Sequence, residues 1–230
     1  MAANGTPGSQ RTTAIRVIKL LLFSASIVPC LVGGALVASQ GSLDAARFAL
    51  VTLALFLGQA GGDYLYYYFT HYHSDARDAH TKIFAGWRPL FTGNVIPGSA
   101  TVYAGFACLA VAAVIGLYFA ARIGWPVVAL GLAGGAVAVF FTPLMLRGYK
   151  EPVIFLTFGP LALAGVYLVL TNTLSWTPVI VSLPIAFFVT VVAYLKGARI
   201  TVHGGSGDDA TVDVEPWRMI VLYALGYGSL

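Results

Sequence analysis

Charged side chains are scarce in this chain. Asp, Glu, Lys and Arg make up 10% of 230 residues, against roughly 25% in soluble domains. With 58% of the residues apolar, that deficit excludes a soluble globular domain, and the chain reads as an integral membrane protein. Cysteine is nearly absent as well. Cys30 and Cys108 both lie inside apolar runs, so they read as small buried hydrophobes, not as a disulfide or a metal pair. Polar stretches long enough to fold by themselves are missing, which leaves one membrane domain over residues 15–230 behind a small polar tail, residues 1–14. Alternating strand patterns are missing too, and barrel strands would be shorter and dyad-patterned. The net charge of +4 does not indicate nucleic acid as a partner, because the basic residues stand at span ends, where orientation signals belong.

What the chain does contain is a series of long apolar runs. Ile15 to Val37 opens it, led by Arg16 and Lys19. A basic start before an apolar run can mark a signal peptide. Here the run matches a bilayer crossing of ~20 residues and further spans follow, so it predicts a first transmembrane helix. Phe48 to Phe69, Ser99 to Ala121, Trp125 to Leu146, Pro152 to Thr171 and Trp176 to Leu195 supply the next spans. Trp217 to Leu230 is too short to cross a core of ~30 Å. The expected fold is all-α: a polytopic transmembrane helical bundle of six full spans plus a partial seventh. Pro29, Pro143, Pro160 and Pro184 fall inside spans, where neighbouring groups can satisfy the carbonyls they free. Gly58 and Gly62 form a GxxxG step that predicts a close helix approach.

Orientation follows from the basic residues. With the N-terminus in the cytoplasm, the inner side holds Arg11, Arg16, Lys19, Arg77, Lys82, Arg88, Arg147, Lys150, Lys196, Arg199 and Arg218, and the outer side only Arg47 and Arg122. This eleven-to-two bias predicts a plasma-membrane protein with both long polar loops, Thr70 to Gly98 and Lys196 to Pro216, in the cytoplasm.

The first of these loops continues the stretch that carries the chemistry, Gly58 to Leu90. An acid within an apolar span is costly and by default marks a functional site, and Asp63 is such an acid. Gln59, Asp63 and Tyr67 recur at i, i+4, i+8 and share one helix face. Asp75 and Asp78 follow in the loop. Hard oxygen ligands of this kind suit Mg²⁺, which keeps several waters and shares substrate phosphates. Lys82, Arg88, Lys196 and Arg199 are placed to hold phosphate oxygens, and tyrosine faces stabilise a cation. A metal, a diphosphate grip and aromatic walls together suit the ionisation of an allylic diphosphate.

The longest distinctive stretch is GYKEPVIFLTFGPLALAGVYLVLTNTLSW, with Gly148, Glu151, Phe155, Phe158, Gly159, Pro160, Leu161, Gly165, Tyr167, Ser175 and Trp176. Together with Gln59 to Tyr67 at the end of the second span, and Arg88, Pro89, Leu90 and Gly93 downstream, it resembles the UbiA-type intramembrane prenyltransferases over Ala49 to Leu195. The likeness is to their menaquinone-pathway (1,4-dihydroxy-2-naphthoate) branch. The resemblance implies transfer of a polyprenyl group from polyprenyl diphosphate to an aromatic acceptor, with Mg²⁺ on Asp63, Asp75 and Asp78. Gln59, Lys82, Arg88, Lys196 and Arg199 would bind substrate, Tyr67 would face the cation, and the lipid bilayer would hold the tail. Two departures stand out: Gln59 replaces an Asn, and the stretch after the sixth span, LKGARITVHGG, lacks the family's second acid pair, the nearest acids being Asp208 and Asp209.

Plainer readings stand beside these. Asp63 could snorkel to the interface, but the Gln59 face and the resemblance favour a site. Most of Tyr64 to Tyr68 read as an interfacial aromatic belt. Asp75 and Asp78 could be solvated loop acids, and the four basic site candidates could be orientation charges alone. His71, His73 and His80 with Asp75 fit no standard zinc spacing. Glu151 opens a helix, where its charge favours the dipole. Gly204, Gly205 and Gly207 read as loop. A non-catalytic membrane protein of the same fold is the rival, favoured by the missing acid pair. A transporter using Asp63 as coupling acid would need further ionisable residues at the midplane of other spans, and the runs hold none. The orientation is testable by thiol labelling in sealed cells: cysteines at Ser74 and Ser206 should be shielded from an impermeant outside reagent, and labelling of both from outside would reverse the assignment.

Overall fold

The computed structural model describes residues 26–41, 43–72, 98–197, 199–202 and 210–213. Asp75, Asp78, Lys82, Arg88, the start of the first span and the apolar run 217–230 lie outside the described residues. Among the described residues six helices and a two-stranded ribbon follow one another: α1 Ile27–Ala38, α2 Ala45–Tyr72, α3 Gly98–Ile123, α4 Trp125–Leu146, α5 Lys150–Thr171, α6 Thr177–Gly197, β1 Arg199–Val202 and β2 Ala210–Asp213. Among the described residues four helices are long and apolar enough to cross a membrane: α2 over Ala45–Tyr66, α3 over Ser99–Ile123, α4 and α5. In α6 the apolar part is the shorter Thr177–Val191, and α1 is described over 12 residues. Helix is the expected form here, because hydrocarbon offers no partner for an unpaired N–H or C=O. Tyr103, Phe106, Leu117, Leu132 and Phe140 lie on the outside of α3 and α4, an apolar surface suited to lipid tails.

The described connections between helices are short and locally encoded. Asp44 Oδ1 accepts the backbone N–H groups of Ala46 (2.9 Å) and Arg47 (3.1 Å), so α2 starts three residues earlier than its apolar pattern alone predicts. Gly124, at φ 109°, separates α3 from α4, and Pro126 sits in the first turn of α4, where its missing N–H costs nothing. Asn172, at φ 57°, ends α5, a left-handed conformation that asparagine tolerates.

Two features differ from the sequence pattern. The polar loop after α6 contains strands, which the pattern did not predict: β1 and β2 pair antiparallel with Arg199 opposite Asp213 and Val202 opposite Ala210. The ribbon lies beyond the apolar part of α6, so the membrane-crossing part remains all-helical. Within α5, Thr157–Leu161 forms a π turn around Pro160. Proline has no N–H to return to the preceding turn, and the wider register absorbs the mismatch. Thr157 Oγ1 donates to the Val153 carbonyl at 2.6 Å beside it.

Packing centres on α2. The predicted Gly58/Gly62 step is only half right. A Cβ at Gly58 would meet open space, whereas one at Gly61 would lie 2.9 Å from the Gly105 carbonyl oxygen and 2.7 Å from Leu109 Cγ on α3. Gly62 meets α4 instead, where an added Cβ would be 3.3 Å from Ala138 Cα. Adjacent glycines thus bring two different helices against α2, on faces about 100° apart. Tyr66 is also not a belt residue. It is 8% exposed, and its ring meets Phe141 of α4 edge-on at 5.6 Å. On the other side of the bundle, Gly33 of α1 lies against Val166, and Gly159 in the π turn lies against Ala186 of α6. Gly61→Ala should therefore lower stability by about 1–3 kcal/mol through overpacking, while Gly58→Ala should leave it unchanged or slightly raised. Thermal unfolding of matched detergent samples reads the difference, and equal melting of the two variants would contradict the described crossing.

Candidate functional site

α2, α4 and α6 finish at one end of the bundle, where α5 begins. Tyr66 against Phe141 ties the ends of α2 and α4, and a hydrogen bond from Lys150 Nζ to the Ala193 carbonyl, 2.9 Å, ties the start of α5 to the last turns of α6. The opposite end is linked by contacts between loop residues and the helices α2 and α5. Asp44 pairs with Arg47 at 3.4 Å, Arg47 donates to Asn172 Oδ1 at 3.3 Å, and the Tyr167 hydroxyl donates to Gln40 Oε1 at 3.4 Å.

Asp63 is partly buried on α2. It lies 18 residues from the start of the helix, or roughly 27 Å along it at 1.5 Å per residue, within the last turn of the apolar span that ends at Tyr66. Its neighbours in sequence fix its surroundings. Gly61 is taken by α3, Gly62 and Tyr66 by α4, and Gln59, one turn earlier, faces the start of α1. Asp63 is rotated only about 40° from Gln59, so it falls on the α1 side of α2 and away from the α3 contact.

Gln59 has a structural task. Its Oε1 accepts the backbone N–H of Ser26 at 2.8 Å, immediately before α1, where the first amides of a helix have no intrahelical acceptor. In an apolar setting that N–H would otherwise cost about 1–3 kcal/mol. Of the other residues singled out, Tyr67 lies on α2, Lys196 on the last turn of α6 and Arg199 at the start of β1. Tyr68 contacts Phe69 edge-on at 5.5 Å. Glu151 sits in the first turn of α5, as its charge and the helix dipole predict.

The donor set can be tested against Mg²⁺. The described acids are Asp44, Asp63, Glu151 and Asp213, and among the described residues no three His, Cys, Asp or Glu side chains converge as a metal cage. Asp44 is committed to the far end. Mg²⁺ needs no all-protein cage, since it is held by one or two carboxylates with waters and substrate phosphates. Asp63 at a bundle end fits that partial role.

Sequence reasoning did not single out Lys150 as more than an orientation charge. Its only sequence signal is a basic residue at the first position of a helix, the end where a cation opposes the dipole.

A sequence profile of the UbiA prenyltransferase family matches residues 26–203. No curated protein and no solved structure matched the chain.

Proposed function

Because the chain belongs to the UbiA prenyltransferase family, we propose that it moves a polyprenyl group from polyprenyl diphosphate to an aromatic acceptor within the bilayer, in quinone biosynthesis of the menaquinone type. Asp63 carries this reading: it is an acid in an apolar span, set at a bundle end, in the family segment where diphosphate chemistry is expected. In the reaction, the bond between the allylic carbon and the diphosphate oxygen breaks. Diphosphate leaves with the electron pair, an aromatic carbon of the acceptor bonds to the allylic carbon, and the acceptor loses a proton.

Each residue has a proposed task. Asp63, with Asp75 and Asp78, would hold Mg²⁺, which when bound neutralises diphosphate charge and so favours its departure. Lys82, Arg88, Lys196 and Arg199 grip the phosphate oxygens. Tyr67 turns its ring to the developing cation. Gln59 supports the site from behind by holding the start of α1. The proposed architecture is a single domain over residues 15–230, with six spans, a partial seventh, and the N-terminus and both long polar loops on the cytoplasmic side of the plasma membrane.

The second reading is a non-catalytic membrane protein of the same fold that serves as a binding or assembly partner. It draws on the stretch after α6, which lacks acids until Asp208.

The two readings separate at Asp63 and Tyr68. Asp63→Asn keeps the shape and loses the charge, an electrostatic loss of about 2.7–4 kcal/mol, or 10²–10³ in rate. Tyr68, about 100° round the helix from Tyr67, loses only a hydroxyl in Tyr68→Phe and should stay within a few-fold of the parent. Initial transfer rates in nanodiscs, with expression and thermal stability matched, decide. Full activity in Asp63→Asn together with loss in Asp75→Asn and Asp78→Asn would move the metal site to the loop, and equal rates in all of them would refute the mechanism.

A further inference from the structure

We infer that Lys150 is a positioning residue: it clamps the end of α6 and thereby fixes where Lys196 and Arg199 leave the bundle. This rests on the diphosphate-binding reading above for its functional consequence, though the clamp itself does not.

The geometry is specific. Lys150 is the first residue of α5, yet its side chain reaches a neighbouring helix and donates to the Ala193 carbonyl at 2.9 Å, in a partly buried setting. Ala193 stands four residues before the end of α6 at Gly197. The last turns of a helix carry partial negative charge, and a cation there is favourable; the Ala193 carbonyl, opposite the Gly197 N–H in the helical pattern, offers Lys150 its second lone pair. At the start of its own helix the same cation is unfavourable. Its charge is therefore used between helices. Among the described residues no carboxylate forms an ion pair with its ammonium. Burial works against the charged form, the charge of the neighbouring Glu151 favours it, and the carbonyl is the hydrogen-bond partner that offsets the burial.

The consequence lies three to six residues further on. Lys196 follows Ala193 within one turn, and Arg199 opens β1 directly after the helix. α6 is anchored below this point by Gly159 against Ala186 and by the Phe155–Phe187 ring pair, centroids 4.8 Å apart. Beyond the buried Thr190 and Val191, Lys150 adds a polar tie to the last turn of α6. Without the clamp that turn frays more readily, and the two basic residues lose part of their fixed place relative to α5.

Hydrogen exchange of the full-length protein in nanodiscs tests the clamp without any assay of turnover. In Lys150→Met, amides 194–202 should exchange about tenfold faster, the scale of one hydrogen bond from a charged donor, while α2 amides stay unchanged as an internal control. Lys150→Arg, which keeps a charged donor, should restore the parent rate. If the Met variant does not fold, Lys150→Gln, with a shorter neutral donor, takes its place. Binding of inorganic diphosphate in the presence of Mg²⁺ should weaken about tenfold in Lys150→Met and recover in Lys150→Arg. Parent-like exchange in Lys150→Met, or acceleration shared equally by Lys150→Arg, overturns the clamp. Accelerated exchange in Lys150→Met, together with a parent that binds no diphosphate, upholds the clamp and counts against the diphosphate reading instead.

Discussion

The backbone-to-backbone approach of α2 and α3 at Gly61 and Gly105 is the contact on which the arrangement turns. Helices in lipid gain little from burying apolar side chains against one another, since the tails are equally apolar, and close approach at small residues takes over. Gly61 admits α3, and Gly62, one residue on, admits α4. With Tyr66 locked against Phe141, α2 cannot rotate without opening both seams. Its remaining face is thereby fixed, and that face carries Gln59, Asp63 and Tyr67. A larger side chain at position 61 would disturb the orientation of Asp63 as well as the packing.

Several of the described polar groups within the apolar body have hydrogen-bond partners, whereas the buried Thr52 Oγ1 has none among the described residues. Gln59 serves the Ser26 N–H, Thr190 and Thr157 return their hydroxyls to carbonyls one turn back, and Lys150 serves the Ala193 carbonyl. Two of these join different helices, and both sit toward the half of the bundle where α2 ends. The far end is joined by Asp44, Arg47 and Asn172 and by Gln40 with Tyr167. One end is therefore linked by polar contacts of 3.3–3.4 Å, while the other carries Asp63 and leads into the basic stretch after α6.

Much of this was legible in the sequence, for identifiable reasons. Continuous apolar runs between glycine, proline and polar breaks mark helices in lipid, and helices α2 to α6 fall on them within a few residues. Asp63 stood out because an ionised side chain in an apolar run needs a cause. The glycine contact was misplaced by three residues because GxxxG spacing says that two helices approach, not which of several nearby glycines they use. Tyr66 was hidden in a block of five aromatics, Tyr64, Tyr66, Tyr67, Tyr68 and Phe69, since an interfacial belt and an interhelical ring pair share one composition. The π turn at Pro160 and the Lys150 clamp depend on where a second helix lies, and a single strand of sequence does not carry that. Asp75, Asp78, Lys82 and Arg88 rest on the sequence and the family alone.

The central claim is that this bundle ionises a prenyl diphosphate at its Asp63 end. The most direct measurement is the coupled release of diphosphate and appearance of prenylated product from purified full-length protein in nanodiscs, with a panel of aromatic acceptors, with Mg²⁺ and with EDTA. The account predicts equal amounts of diphosphate and prenylated product, formed with Mg²⁺ and suppressed by EDTA. Neither diphosphate nor product from any acceptor in the panel, or transfer that persists undiminished in EDTA, would contradict it.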